Sequence, residues 1–252
     1  MKPIIFISIF FPTIIFAQID SISLKQYCPT KLGQEGALCF AYAPVYTALS
    51  IAHNVTNNQT DETSNAFKVF SYGFVASKVK KDKSIFGQAF NRCGRNATVD
   101  LAFGVLLQNG TVLFNEFPEN CDCKKIDKKL NDAKQYIIKD TVIIGDETTE
   151  VKSHIEKIKN ALKLKKPVVI AIFQETFFYN CKNSKVLEFP LDYKQHLKSA
   201  NHVVCIVGYN DKINDGSFLV KNNYTSWGQN GFSYVKYADL IKVIRGSYIF
   251  NI

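Results

Sequence analysis

Nothing in this chain repeats at a fixed period, and no tract is of low complexity, so a solenoid is excluded. With 46% hydrophobic and only 21% charged residues, global disorder is excluded too. After residue 17 no apolar run approaches the roughly 20 residues that a spanning helix needs, so stable membrane insertion is not expected. Basic segments never interleave with aromatic residues as a base-stacking platform requires, and the formal net charge of +9 is therefore not read as nucleic-acid binding. The surplus is mostly Lys, in clusters such as Lys78, Lys80, Lys81, Lys83 and Lys124, Lys125, Lys128, Lys129, which read as solvated surface. A third run, from Lys157 to Lys166, is broken by Ile158, Ala161, Leu162 and Leu164, the pattern of an amphipathic helix with a wet Lys face. Metal-ligand spacing is also missing. The only close pairs, His202-X-X-Cys205 and Cys121-X-Cys123, make no four-ligand zinc pattern, and neither a metal nor a cofactor is expected.

What is present begins with Lys2, an apolar run from Pro3 to Phe16, and Ala17. That is the form of a secretory signal occupying residues 1–17, cut after Ala17, and it predicts a secreted or periplasmic protein of residues 18–252. Seven cysteines fit an oxidising compartment, and their odd number leaves at least one thiol free or paired between chains. Asn-X-Thr sequons stand at Asn54, Asn58, Asn96, Asn109 and Asn223. The 252 residues suffice for one sizeable domain or two small lobes.

Periodicity predicts an extended arm over 18–36 and a helix from Cys39 to about Asn54, late or kinked at Pro44. Further helices are predicted over 69–77, 99–109 with Gly110 as the stop, and 152–164. Strands are predicted at 168–173, 202–209, 217–221 and 231–237, separated by Gly, Asn and Asp. Helices early and strands late predict an α+β protein of two lobes, helical over about 28–120 and β-rich over about 150–252, with a cleft between them.

Three residues carry chemistry. Cys39 follows Gly36-Ala37 and opens a helix, whose unpaired amides and positive end favour thiolate. His202 opens an apolar strand, where it can face a cleft, while His53, His154 and His196 lie in polar or Lys-rich surroundings and read as surface. Asn222 ends a strand, where its amide can fix the tautomer and orientation of an imidazole. Each is weak alone.

Together they match something specific. Cys39-Phe40-Ala41-Tyr42-Ala43 resembles the Cys-Trp-Ala-Phe pattern of papain-like cysteine peptidases. Asn201-His202-Val203-Val204 with Val207-Gly208-Tyr209 is similar to that family's histidine strand. The stretch from Lys221-Asn222-Asn223-Tyr224 through Trp227-Gly228-Gln229-Asn230-Gly231-Phe232 resembles its Lys-Asn-Ser-Trp-Gly segment. Cys93-Gly94-Arg95-Asn96, the helix after it and Phe117-Pro118 resemble its Cys-Asn-Gly-Gly loop, helix and Tyr-Pro turn. The order is the family order, with 163 positions from Cys39 to His202 and 20 from there to Asn222.

The resemblance implies a helical left lobe carrying Cys39 and an antiparallel β right lobe carrying His202 and Asn222. It implies a peptide or protein substrate in the cleft, with Gly94, Arg95, Asn96 and Asn201 as its contacts. It implies Cys39 as nucleophile, His202 as acid and base, and a glutamine, here Gln34, completing an oxyanion hole with the Cys39 amide. Trp227 would pack near the Asn–His pair and keep water off it, unless Tyr224 replaces the Trp that shields Asn222. It implies that Cys93 pairs with Cys121 or Cys123; Cys28 and Cys181 are further disulfide candidates, and Cys205 is a buried thiol.

Four departures bear on activity. The family's glutamine stands six positions before the nucleophile, where this chain has Gly33, and Gln34 is only five before. Phe40 replaces a Trp. The last segment is one residue short at Asn223-Tyr224-Thr225, and Arg95-Asn96 replace a Gly-Gly pair. These departures raise an alternative, a catalytically impaired papain-like fold that binds peptides or proteins. Only 21 residues lie between the signal cut and Cys39, too few for an inhibitory pro-segment, as in bacterial members. The enzyme is expected to be active on export or restrained by a separate protein inhibitor.

Overall fold

A computed structural model describes residues 19–79, 97–118, 121–122, 125–174, 178, 180–190, 193 and 200–252. The signal segment, Cys93, Gly94, Arg95, Asn96, Cys123 and His196 lie outside them.

The arm begins with a short strand, β1 (Ser21–Ser23), and a single 3-10 turn at Lys25–Tyr27. Gly36, at φ +64, then turns the chain into helix α1, residues 39–56. Its middle, Tyr42–Leu49, is π-helical and buried on every side. Pro44 accounts for this local form. Its nitrogen has no hydrogen to donate to the carbonyl four residues back, and a widened turn makes room for the ring. The predicted kink thus takes the form of a wider turn, and the helical path continues.

Helix α2 (Tyr72–Lys78) starts three residues later than predicted, because Ser71 caps it by accepting from the Phe74 amide at 3.1 Å and Phe70 bridges to Leu113 instead. Helix α3 (Val99–Gln108) ends as predicted before Gly110. At φ +73 that residue would place a Cβ 2.1 Å from the Ala133 carbonyl oxygen, so only glycine fits. Strand β2 (Asp140–Asp146) precedes helix α4 (Val151–Lys163), where Glu150 accepts from the Lys152 and Ser153 amides at 2.9 and 2.7 Å.

Then come β3 (Val168–Ile172), β4 (Val186–Leu187), β5 (His202–Asn210), β6 (Ser217–Lys221), β7 (Phe232–Lys236), helix α5 (Tyr237–Val243) and β8 (Ile244–Asn251). The strands form one sheet in the order β2-β8-β3-β5-β6-β7-β4, with β1 paired to the far end of β5. Pairing of the named strands is antiparallel, as expected, except between β4 and β7, which run parallel. The central strands β3 and β5 are buried almost throughout, which is why they read as continuous apolar runs. The fold is α+β in two lobes, with helices α1 to α3 in one and the sheet in the other. The sheet also recruits β1 and β2, from before the predicted β-rich range of about 150–252.

Several expectations about individual side chains are corrected. His154 is fully buried, its Nε2 2.9 Å from the Ser247 hydroxyl, and His53 is half-buried with its ring 4.7 Å from that of Phe70. Within the α4 Lys run, Lys159 leaves the wet face. It is buried, and its Nζ donates to both Asp211 carboxylate oxygens at 2.8 and 2.9 Å. Cys28 and Cys181 carry free thiols, as does the buried Cys205. The sequon residues Asn54 and Asn223 are fully buried and closed to glycosylation in the folded chain, whereas Asn58 is exposed.

Candidate active site

Two ends of secondary structure meet here. Cys39 is the first residue of α1 and is half-buried, while His202 is the first residue of β5, paired across to Ile172 of β3. Both line one cavity of about 600 Å3, whose walls include Asp100 from α3 and Asn201, Arg245 and Tyr248 from the sheet side. The cavity therefore opens between the helical elements and the sheet. Val203, the residue after His202, lines the same cavity as Cys39.

Asn222 follows the last residue of β6. His202 Nε2 lies 2.9 Å from Asn222 Oδ1. The same Oδ1 accepts from the Asn223 amide at 2.7 Å, and an N–H can only donate, so that atom is the oxygen. The His202 proton must then sit on Nε2, leaving Nδ1 as the basic position of the neutral ring. Tyr224 lies flat over the imidazole, ring centroids 5.8 Å apart and planes 10° apart. Trp227 is buried in the same segment. Its indole N–H donates to the Phe178 carbonyl at 2.6 Å, and its ring stacks on Phe178. Among the described residues, the ring stacked on His202 is that of Tyr224, two positions after Asn222.

The thiolate expectation also needs revising. Burial pushes the Cys39 thiol above its ordinary value, and main-chain hydrogen bonds with Val203, Phe40 and Cys39 itself only partly offset it. Burial holds His202 below its ordinary value, against the Asn222 hydrogen bond that raises it. Each group alone therefore favours its uncharged form. A thiolate at Cys39 would need an opposite charge beside it to offset this burial. The start of a helix is not sufficient.

Gln34 is buried in the loop before Cys39. Its Nε2 donates to the Gly36 carbonyl at 2.6 Å and its Oε1 accepts from Asn223 Nδ2 at 2.8 Å. Asn201 is exposed and ties down the other rim, accepting from the Gln174 amide at 2.6 Å and donating to the Gln174 carbonyl at 3.2 Å. Sequence reasoning missed Asn223 as a site residue. It stood in the right segment, and only its partners reveal its place.

Residues 87–243, more than half of the chain, match the family model described as papain family cysteine protease. The matched span holds His202 and Asn222 and stops short of Cys39. No curated protein matches the sequence. Among solved structures, the chain is similar to digestive procathepsin L 3 of Tenebrio molitor larval midgut, at 14% identity and a TM-score of 0.69, covering 92% of this chain and 70% of that one. It is also similar to the bromelain protease of Ananas comosus in complex with the E64 inhibitor, at 15% identity and a TM-score of 0.66, covering 92% and 99%. Xylellain, a cysteine protease from Xylella fastidiosa, matches at 15% identity and a TM-score of 0.65, covering 92% and 85%.

Proposed function

Because the chain belongs to the papain family of cysteine proteases, we propose that it is an exported peptidase that cleaves peptide bonds through Cys39, His202 and Asn222. The observation that carries this reading is the 2.9 Å bond from His202 to Asn222 beside a cavity that also holds Cys39. In this reading Sγ attacks the substrate carbonyl carbon while its proton passes to His202. The imidazolium then protonates the leaving amine, and water, deprotonated by the same ring, hydrolyses the acyl-enzyme. Asn222 keeps the ring in the tautomer that accepts at Nδ1. The Cys39 amide and Gln34 Nε2 are the oxyanion donors, and Asn201, on the rim, is a substrate contact together with Gly94, Arg95 and Asn96. A disulfide from Cys93 to Cys121 belongs to the same reading, supported by Cys121 being disulfide-bonded. Export rests on residues 1–17, and a mature N-terminus at Gln18 is the expected mass-spectrometric result for secreted or periplasmic material.

One observation favours a second reading, a peptide-binding module without turnover: Gln34 Nε2 already donates to Gly36. Treating residues 18–252 with an epoxide inactivator of papain-like thiols separates the two. One adduct per chain at Cys39, lost in His202→Ala and Cys39→Ser, is the expected result. A folded protein left unlabelled at Cys39 overturns the peptidase reading and leaves the binding module.

A further inference from the structure

Asn223 is fully buried where the loop before the nucleophile meets the end of β6. Its Nδ2 donates to the Val203 carbonyl at 2.9 Å and to Gln34 Oε1 at 2.8 Å. Its carbonyl accepts from the Gln34 amide at 2.8 Å, and its own amide donates to Asn222 Oδ1 at 2.7 Å. One residue thus joins Gln34, Asn222 and the strand that carries His202.

The polarity of this chain of amides has no freedom. A main-chain carbonyl only accepts, so Val203 requires the nitrogen end of the Asn223 side chain. That nitrogen requires an acceptor at Gln34, so Oε1 faces Asn223. Nε2 must then face the other way, toward Gly36 and the loop leading to Cys39. The Gly36 carbonyl, again only an acceptor, fits that orientation at 2.6 Å. Nε2 has two hydrogens and Gly36 takes one, so one donor remains. Gln34 stands one position nearer Cys39 than the family's glutamine. Clamping both its main chain and its side chain to Asn223 sets where that displaced amide can go.

We propose that Asn223 is a positioning residue that holds the Gln34 amide with its nitrogen toward the nucleophile loop, so that Gln34 can donate to the developing oxyanion. This rests on the peptidase reading above.

The test compares kcat and KM for a fluorogenic peptide with the rate at which iodoacetamide alkylates Cys39. Alkylation displaces iodide and develops no oxyanion, so it reads the Cys39–His202 pair alone. Asn223→Asp puts a carboxylate oxygen against two acceptors, and Gln34 must turn or separate. The expected result is a fall in kcat of about ten- to a hundredfold, since losing one oxyanion donor costs on the order of a hundred- to a thousandfold. KM should stay within about threefold and alkylation within about twofold. Lowering the pH until the introduced carboxyl is protonated restores part of kcat, because an O–H can again donate to Gln34 Oε1. Asn223→Ser, which keeps one donor, should lose no more than about fivefold. In a Gln34→Ala background, Asn223→Asp should cost nothing further.

Should Asn223→Asp not fold, Asn223→Ala removes the same donors without adding charge and is expected to lose about tenfold in kcat. A folded Asn223 variant with unchanged kcat, alkylation falling in step with kcat, or additive losses in the Gln34→Ala background would each overturn the proposal. Wild-type protein that alkylates but cleaves no peptide removes the peptidase reading and this proposal with it. Active wild type indifferent to Asn223→Asp removes this proposal alone.

Discussion

Tyr224 shows how a single side chain can be read twice. In the sequence it is an aromatic in a segment one residue short; in the structure it is the ring stacked 10° from the plane of His202. A ring stacked there would limit water's access to the His202–Asn222 bond, and a typical intramolecular hydrogen bond contributes about 0.5–1.5 kcal/mol. Tyr224→Ala is therefore expected to slow Cys39 alkylation by up to about tenfold, while Tyr224→Phe, which keeps the ring, restores most of the rate. Equal rates for all three proteins would show that the stack does not support the pair. Lys221 is the other buried surprise of this segment. Its Nζ donates to the Asn222 carbonyl at 2.7 Å, lies 5.2 Å from the centre of the Phe232 ring, and is held below its ordinary pKa by burial. Gly231, at φ +86, makes room for it, because a Cβ there would lie 2.6 Å from Nζ.

At the level of elements, α4 is the most instructive. Its spacing of Ile158, Ala161 and Leu162 marks a buried stripe, whereas Leu164, the fourth apolar residue of the run, is exposed. Spacing alone cannot say that Lys159 leaves solvent, since that depends on Asp211, 52 positions away. The ammonium also lies 4.9 Å from the centre of the Tyr209 ring, and Tyr237 donates its hydroxyl to the same carboxylate at 2.6 Å. Removing one partner of a buried ion pair strands the other charge, but this pair keeps some exposure, so Lys159→Met is expected to cost about 1–2 kcal/mol. Urea unfolding measures it, and a midpoint equal to wild type would place the pair among surface bridges of little weight. The same dependence on distant partners explains two of the strands that sequence periodicity did not find. β2 exposes Val142 and Ile143 and pairs only with β8, and β8 mixes Arg, Gly and Ser with its apolar residues.

For the molecule as a whole, pH provides the sharpest test. Burial is the leading cause that lowers His53, to about 4, and that lowers His154 and His202. Their unfolded counterparts take up protons below about pH 6.5. The unfolded chain therefore binds more protons once the pH drops below that value, and stability falls as pH falls. The histidine contribution is complete above about pH 6.5 and is lost progressively below it, down to about pH 4 for His53. The slope is at most about 1.4 kcal/mol per pH unit for each histidine. Asp61, Asp146 and Glu150 are lowered by hydrogen bonds, and they lose their contributions only as pH falls through the ordinary carboxylate range. The interval from pH 7.5 to 5.0 thus isolates the histidines. A urea midpoint that drops across it, and drops less in His53→Gln/His154→Gln, is expected; a flat or rising midpoint contradicts the assignment.

The sequence by itself determined the family and the order of the segments that mark it. Cys39 at a helix start, His202 at the head of an apolar strand and the segment from Lys221 to Phe232 are local signals, written in consecutive residues. It likewise determined the central strands, whose β-branched runs need both faces covered, and the end of α3 at a glycine that nothing else can replace. The tertiary structure decided what depends on distant partners. Gln34 and Asn223 meet across 189 positions, and His154 reaches Ser247 across 93. Burial then pushes the Cys39 thiol up, opposite to what the helix start suggests, and holds His202 below its ordinary value. A side chain's type is local, but its desolvation and its hydrogen-bond polarity belong to whatever the fold packs against it.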